Sequence, residues 1–466
     1  MKRQFIPLIL LATALTAQAQ DLKEGGITPD MLKQISQSYQ GTPADRALRN
    51  AIGNNSIRAL ALNQDNLKEM DTHFSVRVNS KGITDQQSSG RCWLFTGLNV
   101  MRAKTLARYG FRSFEFSEIY PFFWDQLEKA NLFLQGIIDT RGRGMEDETV
   151  QWLFKHPLSD GGTFTGVADI VGKYGLVPKE AMPETYSSNN TSQMAELISL
   201  KLKEYALRLR EMGAEGKGDK ALVEEKTRML GTVYRMLALN LGVPPTEFDY
   251  VRRDAQGNPV ETEHHTPMTF LEKYGDPQLL THYVMLMNDP SRPYYKTYEI
   301  DYDRHRYDGR NWTYVNLPIE DIKQMAIASL KDSTMMYFSC DVGKFLNSKR
   351  GLLDVNNYDY ESLMGTTFGM DKKERIQTFS SGSSHAMTLM AVDLDAEGRP
   401  TKWMVENSWG ASSGYQGHLI MTDEWFDEYM FRLVVETKYV PADVMKLFEQ
   451  KPERLPAWDP MFAPEE

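Results

Sequence analysis

Cysteine is nearly missing from this 466-residue sequence: there are two, Cys92 and Cys340. Two thiols build neither a disulfide framework nor a four-thiolate zinc site, so stability has to come from an apolar core. Positive charge is also short. Lys and Arg number 53 against 63 Asp and Glu, a formal net charge of −10, and no Lys/Arg-rich run occurs. The phosphate-neutralising field that nucleic-acid binding requires is therefore absent, and no nucleic-acid partner is expected. Beyond residue 19 no stretch reaches the ~18 apolar residues that span a bilayer, which excludes stable membrane insertion of the mature chain. Repeats at solenoid or propeller periods are lacking too. What is present is core material: hydrophobic residues make up 41% and aromatics 11%, enough apolar surface to offset chain entropy and exclude disorder as the main state.

Residues 1–19 read as a signal peptide. Lys2 and Arg3 precede the apolar run Phe5 to Leu15, and Ala17-Gln18-Ala19 supplies a small-x-small cleavage site. Export, with cleavage near Ala19 and a periplasmic destination, is the expectation. Residues 20–66 are polar and punctuated by Gly25-Gly26, Pro29, Gly41-Thr-Pro43 and Gly53-Asn-Asn55, with helical patches between. They form an N-terminal arm.

A helical lobe is expected over 67–190. After Cys92, the residues Trp93, Leu94, Leu98, Val100 and Met101 fall roughly at helical spacing, and Gly110 offers a stop. A second helical stretch, Glu146 to Lys155, ends before Pro157 and the turn Asp160-Gly161-Gly162. The region 191–290 opens with two long charged helical patterns on either side of Gly213-Ala-Glu-Gly216-Lys-Gly218, an inserted helical hairpin with solvated Lys/Glu faces. From Tyr294 the pattern turns to β, through 296–300, 313–315, 335–339, 386–392, 402–406 and 433–437, giving a β lobe over 291–454 and a tail over 455–466. Helices early and strands late argue for an α+β fold rather than a regular βαβ array.

The chemistry-bearing residues lie far apart in sequence. Gln86-Gln87-Ser88-Ser89-Gly90-Arg91-Cys92-Trp93 is a glycine-containing turn that delivers Cys92 to a helix start, where free N–H groups and the macrodipole stabilise a thiolate. A lone cysteine is more often a buried small hydrophobe, and a lone histidine is more often structural. Here, however, Ser383-Ser384-His385-Ala386 puts an imidazole at a strand entrance and the next strand ends in Glu406-Asn407-Ser408-Trp409-Gly410. A cysteine nucleophile needs a base, and that base needs a third group to orient it; His385 and Asn407 fit those roles. Gly161 and Gly162 would let a substrate backbone approach closely, or form a simple turn. Cys340 reads as a structural buried thiol, able to pair with Cys92 only if the two backbones come within disulfide reach. His264-His265 lacks a third ligand at useful spacing. No metal and no cofactor are expected.

These stretches, with Lys173-Tyr-Gly-Leu-Val-Pro178, Met182-Pro-Glu-Thr185, Asn288-Asp-Pro290, Cys340-Asp-Val-Gly343, Lys402 to Gly410 and Ala457-Trp-Asp-Pro-Met461, resemble the papain-like cysteine peptidases, specifically the bleomycin hydrolase/aminopeptidase C family. Gly-Arg replaces the Gly-Ser/Ala that precedes the papain nucleophile, which selects this subfamily. Cys92 and His385 stand 293 residues apart, against the ~130–150 of papain-like enzymes, so roughly 150 residues are inserted between the halves of the site. The resemblance implies a two-lobe fold with a large helical insertion, and a homohexamer. It also implies that Gln86, with Gln87 as its alternative, and the Cys92 N–H hold an oxyanion while Trp409 screens the His385–Asn407 bond. The C-terminal arm would lie in the cleft with the Glu466 carboxylate meeting the substrate's amino terminus, although this arm ends Phe462-Ala-Pro-Glu-Glu466 rather than in small apolar residues. The function expected is an exported thiol-dependent aminopeptidase acting on peptides. An endopeptidase or amidase with the same site is the alternative, and a non-catalytic binding protein of this fold a further one.

Overall fold

Two prolines and two threonines start the first helices among the described residues. In the computed structural model, which describes residues 25–68 and 70–462, α1 (Pro29–Gln37) and α2 (Pro43–Asn54) each have Pro in the first turn. Thr28 and Thr42 respectively cap the free N–H groups, Thr42 in a reciprocal box with Asp45. They belong to the first of two compact units, which runs to Gln64 and takes in Tyr358–Thr367; the second comprises Asp65–Asn357 and Phe368 onward. Neither α1 nor α2 buries a residue, and Met31, Leu32, Ile35 and Tyr39 are exposed. The signal peptide expected at 1–19 and the terminal Glu466 lie outside the described residues.

The second unit carries the candidate site. Its helical part begins with α3 (Cys92–Tyr109), stopped by Gly110 in the left-handed conformation at φ 64°. Then come α4 (Ile119–Asp139), α5 (Glu148–Lys155) capped by Asp147, and α6 (Phe164–Tyr174). The spacing signalled α3 and α5; it did not signal α4. The reason is physical: most of α4 is buried, Ile119, Phe122, Phe123, Leu134 and Ile137 together with the polar Asp125, Gln126 and Glu128, so polarity along it does not mark a solvent face. The two charged helical patterns become α7 (Ser192–Ala214) and α8 (Asp219–Leu241). Met194, Ile198, Leu202, Ala206 and Leu209 recur every three or four residues along α7 and are buried, and both helices pack on α4. A two-stranded hairpin, Phe248–Arg253 with Pro259–His265, follows.

The sheet is built from β1 (Tyr283–Met287), β2 (Lys296–Ile300), β3 (Thr313–Asn316), β4 (Met336–Cys340), β5 (His385–Leu394), β6 (Pro400–Glu406), β7 (His418–Thr422), β8 (Met430–Glu436) and β9 (Glu453–Leu455). The order across it is β9-β2-β3-β1-β8-β4-β5-β6-β7, extended by the short pairs Leu352–Leu353 and Leu346–Asn347. All neighbours from β1 through β8, β4, β5 and β6 to β7 are antiparallel. The central strands are buried on both faces. Tyr337, Ala386 and Val434 join the core shared with the helices, while Phe338, Met387, Leu389 and Leu433 join a second core on the other face. That second core is closed by α9 (Ile319–Lys331) against β8 and α11 (Asp423–Tyr429) against β6. Between them in sequence lies α10 (Lys372–Gln377). The fold is α+β, as its element order led us to expect.

Two buried cations tie helices to this sheet. Arg102 of α3 pairs with Glu406 at the end of β6, 2.5 Å apart. Lys372, the first residue of α10, donates to Asn288 Oδ1 and to the carbonyls of Asp427 and Met430 at 2.6–2.9 Å. Burial pushes the Lys372 ammonium down to about 7. Glu406 adjoins Asn407, and α10 leads into the 378–384 segment that enters β5 at His385, so both anchors sit beside candidate residues.

Candidate active site

Strand pairing sets the site. Antiparallel registry puts Thr388 of β5 opposite Glu406 of β6, which brings the start of one strand and the end of the other together at one sheet end. There His385 Nε2 lies 2.8 Å from Asn407 Oδ1. The same amide oxygen accepts the Ser408 N–H at 2.8 Å, which orients the amide. Nε2 therefore carries the ring proton when the imidazole is neutral, and Nδ1 is the basic nitrogen. Trp409 lies over the imidazole at 4.8 Å with 30° between the planes, and both His385 and Asn407 are buried. Cys92 reaches this point from the helical part. It is fully buried at the N-terminus of α3, and its Sγ accepts the backbone N–H of Ala386 at 3.5 Å. A thiol, an oriented imidazole and an orienting amide are thus assembled from residues 92, 385 and 407, with helix N–H groups behind the sulfur.

Gln86 joins them and Gln87 does not. The Gln86 backbone N–H donates to the Ser408 carbonyl at 2.8 Å. Its side-chain Oε1 accepts from Ser408 Oγ and its Nε2 donates to the Ser89 carbonyl, each at 2.6 Å. Gln87, by contrast, is exposed, adopts φ 54° and ties its amide to Asp85 at 2.7 Å.

Gly161 and Gly162 follow Asp160, whose carbonyl accepts from the indole of Trp93, the neighbour of Cys92, at 2.8 Å. Lys129 Nζ donates to the carbonyls of Ser159 and Gly161 at 2.9 and 2.6 Å, so the Gly161 carbonyl is already engaged. A side chain at Gly162 has no room: its Cβ would stand 2.2 Å from His305 Cε1 and 2.8 Å from Trp93 Cδ2. His305 is itself buried with Nδ1 on Asp125, and burial holds its imidazole below the ordinary value.

A model of the Peptidase C1-like family matches residues 26–462. Bleomycin hydrolase of Homo sapiens is 37% identical over 453 residues, covering 95% of this chain and 99% of that protein. Aminopeptidase C of Lactobacillus delbrueckii subsp. lactis is 34% identical over 442 residues, covering 94% and 98%. The crystal structure of PepW from Lactobacillus rhamnosis superposes with a TM-score of 0.90 at 38% identity, covering 95% of this chain and all of that one. The chain belongs to the peptidase C1-like family. It is a cysteine-type peptidase, and the papain-like, bleomycin hydrolase/aminopeptidase C resemblance read from its motifs holds over nearly the whole chain.

Beside the glycine pair, this peptidase has a cavity of about 590 Å³ lined by Gly161, Gly162, Trp152, Phe379, Trp458 and Phe462, among others. Its lining stops short of Cys92 and His385, but Gly162 is backed by Trp93 and Phe379 stands six residues before His385. One wall is the tail. Ala457, Asp459 and Met461 are buried, Asp459 pairs with Arg292, Arg432 Nη2 donates to the Met461 carbonyl at 2.8 Å, and the Phe462 ring meets Trp152 at 5.7 Å. Glu466, the residue expected at the substrate's amino terminus, lies outside the described residues.

The remaining chemistry-bearing residues have structural surroundings. Cys340 stands opposite His385 in the pairing of β4 with β5 and packs in the second core. His264 contacts Asp249 at 2.9 Å, and His265 contacts Glu263 and Thr269 at 2.9 and 3.2 Å. Among the described residues no group of three or more His, Cys, Asp and Glu side chains could hold a metal ion. Sequence reasoning missed Ser408, Ser89 and the Lys129–Asp125–His305 group. Ser408 could have been found from its place beside Asn407; His305, one of eight histidines in no recognisable pattern, could not.

Proposed function

We propose that this peptidase is an exported, thiol-dependent aminopeptidase in which Cys92 is the nucleophile, His385 the general base and acid, and Asn407 the residue that orients His385. The observation that carries the reading is the His385 Nε2–Asn407 Oδ1 bond of 2.8 Å with the Cys92 sulfur seated against the next residue of the same strand. Cys92 Sγ, as thiolate opposite an imidazolium, attacks the peptide carbonyl carbon. The tetrahedral oxyanion takes the Gln86 amide and the Cys92 N–H as donors. His385 passes its Nδ1 proton to the leaving amine; it then deprotonates the water that cleaves the thioester and returns the proton to sulfur. Trp409 keeps solvent off the ring face. Gly161 and Gly162 form part of the substrate-binding edge.

Restriction to amino termini is supported by the aminopeptidase C relatives and by the tail, which walls the cavity beside Gly162 four residues before the chain ends. A carboxylate supplied from that end, Glu466 included, would attract a free α-ammonium and block longer chains. Export rests on the sequence of residues 1–19. Assembly into a homohexamer, which the family resemblance implies, is supported by the exposed apolar residues of α1.

The test is mass spectrometry of the products from one peptide offered with a free and with an N-acetylated terminus. Stepwise removal of N-terminal residues from the free peptide only, abolished by Cys92→Ala and by His385→Ala, is expected. Internal cleavage of the acetylated peptide at an equal rate would make the chain an endopeptidase, and activity retained in Cys92→Ala would remove the nucleophile assignment.

A further inference from the structure

Arg91 occupies the last position before α3 and its side chain is fully buried. A buried guanidinium has to be paired and hydrogen-bonded. Its Nη1 and Nη2 grip the two oxygens of Glu184 at 3.1 and 2.8 Å, and its plane lies over Phe95 and Phe122 at 5.1 and 5.3 Å. Against the burial that would raise it, the Arg91 charge holds the Glu184 carboxyl below its ordinary value. The pair is therefore a rigid anchor rather than a surface contact.

The remaining donor, Nε, points along the loop toward Gln86 and donates to Ser89 Oγ at 3.0 Å. Ser89 then makes two bonds to the same residue. Its hydroxyl donates to the Gln86 carbonyl and its own carbonyl accepts from Gln86 Nε2, both at 2.6 Å. A primary amide has two N–H groups, so fixing one on Ser89 fixes the direction of the other.

From this chain of bonds we infer that Arg91 and Ser89 are positioning residues for the oxyanion site: Glu184 anchors Arg91, Arg91 holds Ser89, and Ser89 aims the free-standing N–H of Gln86 at the reacting carbonyl. The inference rests on the reading of Gln86 as an oxyanion donor and extends it to the residues that preorganise that donor. Lysine cannot replace Arg91 here, because grip on a carboxylate and a third, divergent donor come together only in the planar guanidinium.

The test is a double-mutant cycle in the full chain, with kcat and KM measured on a peptide bearing a free amino terminus. Ser89→Ala and Arg91→Lys are used because the first is a small truncation and the second keeps a cation opposite Glu184; thermal unfolding is recorded for each to check that it is folded. Gln86→Ala should lower kcat ~10²–10³-fold, and Gln87→Ala should not. Ser89→Ala and Arg91→Lys should each lower kcat about 10-fold at nearly constant KM, and neither should slow the enzyme further when Gln86 is already Ala. Alkylation of Cys92 by iodoacetamide, which develops no oxyanion, should proceed at the parent rate in all of them. A full Gln86→Ala effect with no change in kcat for Ser89→Ala and Arg91→Lys, or losses that multiply in the double variants, would overturn the inference while leaving Gln86 in place. Parent-like kcat in Gln86→Ala would remove the donor reading itself, and the inference with it. Slowed alkylation in Arg91→Lys would assign Arg91 to the thiol instead.

Discussion

Gly162 shows how much one missing methyl group decides. The hydrogen that stands in for a side chain lets the ring of His305 and the indole of Trp93 pack directly behind the backbone. Both rings are held: Trp93 by the Asp160 carbonyl and His305 by Asp125. Alanine would have to displace one of them, and overpacking of this kind costs ~1–3 kcal/mol. Gly162→Ala is expected to lower the unfolding temperature and to raise KM for peptides more than it lowers kcat, because the strain falls on the segment beside the cavity rather than on Cys92. Unchanged unfolding and kinetics would show that the ring pair yields without cost. The glycine pair was legible in the sequence; the reason for the second glycine was not, since His305 approaches from a distant segment.

Among the elements, the start of α4 holds the least expected group. Glu118 precedes Ile119 at the helix N-terminus, where a carboxylate is normally favoured, yet it is buried with Oε2 outside hydrogen-bonding contact and Lys179 Nζ 3.5 Å away. Burial, reinforced by the charges of Glu184 and Glu115, outweighs Lys179 and raises the carboxyl from its ordinary 4.5 to about 7. The sign follows from proton counts. Between these two values the folded chain holds a proton that the unfolded chain releases, so the contribution is fully present below pH 4.5 and is lost as pH rises through about 7. Glu118→Gln should remain protonation-independent at this position: its unfolding temperature, relative to that of the parent, should increase from pH 4.5 to 7.5. A constant difference across that range would show that Glu118 is ionised in the fold. Neither α4 nor this acid stood out in the sequence, since the polar residues of α4 are themselves largely buried and mark no solvent stripe.

At the scale of the whole molecule, the last described residues lie at the cavity beside the glycine pair. Residues 457–462 are tied down by Arg292 and Arg432 and wall the cavity beside Gly162, which is more anchoring than a solvated terminus needs. A chain ending at Phe462 keeps those ties and loses Ala463 to Glu466. Under the proposed function it should hydrolyse free peptides more slowly and acetylated peptides faster, and the parent's preference for a free amine should weaken with salt, over a Debye length of about 8 Å at physiological ionic strength. An unchanged ratio of free to acetylated turnover would remove the tail from the specificity of the enzyme.

By itself the sequence pointed to the family and the α+β class, and it singled out Cys92, His385 and Asn407 as candidates, because these depend on local signals: a cysteine at a helix start, an imidazole at a strand entrance, an asparagine where the next strand ends. It also marked the long α7–α8 hairpin, where amphipathic spacing and a glycine-rich turn are both local. Only the tertiary structure distinguished the surroundings of Gln86 from those of Gln87. Adjacent residues have the same composition of neighbours in sequence, and what separates them is backbone direction: Gln86 turns toward Ser408, while Gln87, at φ 54°, turns out to Asp85. The same holds for Arg91. A charged side chain before the cysteine gains a role only when Glu184, 93 residues along, closes on it in the core, and a pairing across that distance is set by packing rather than by any pattern in the chain.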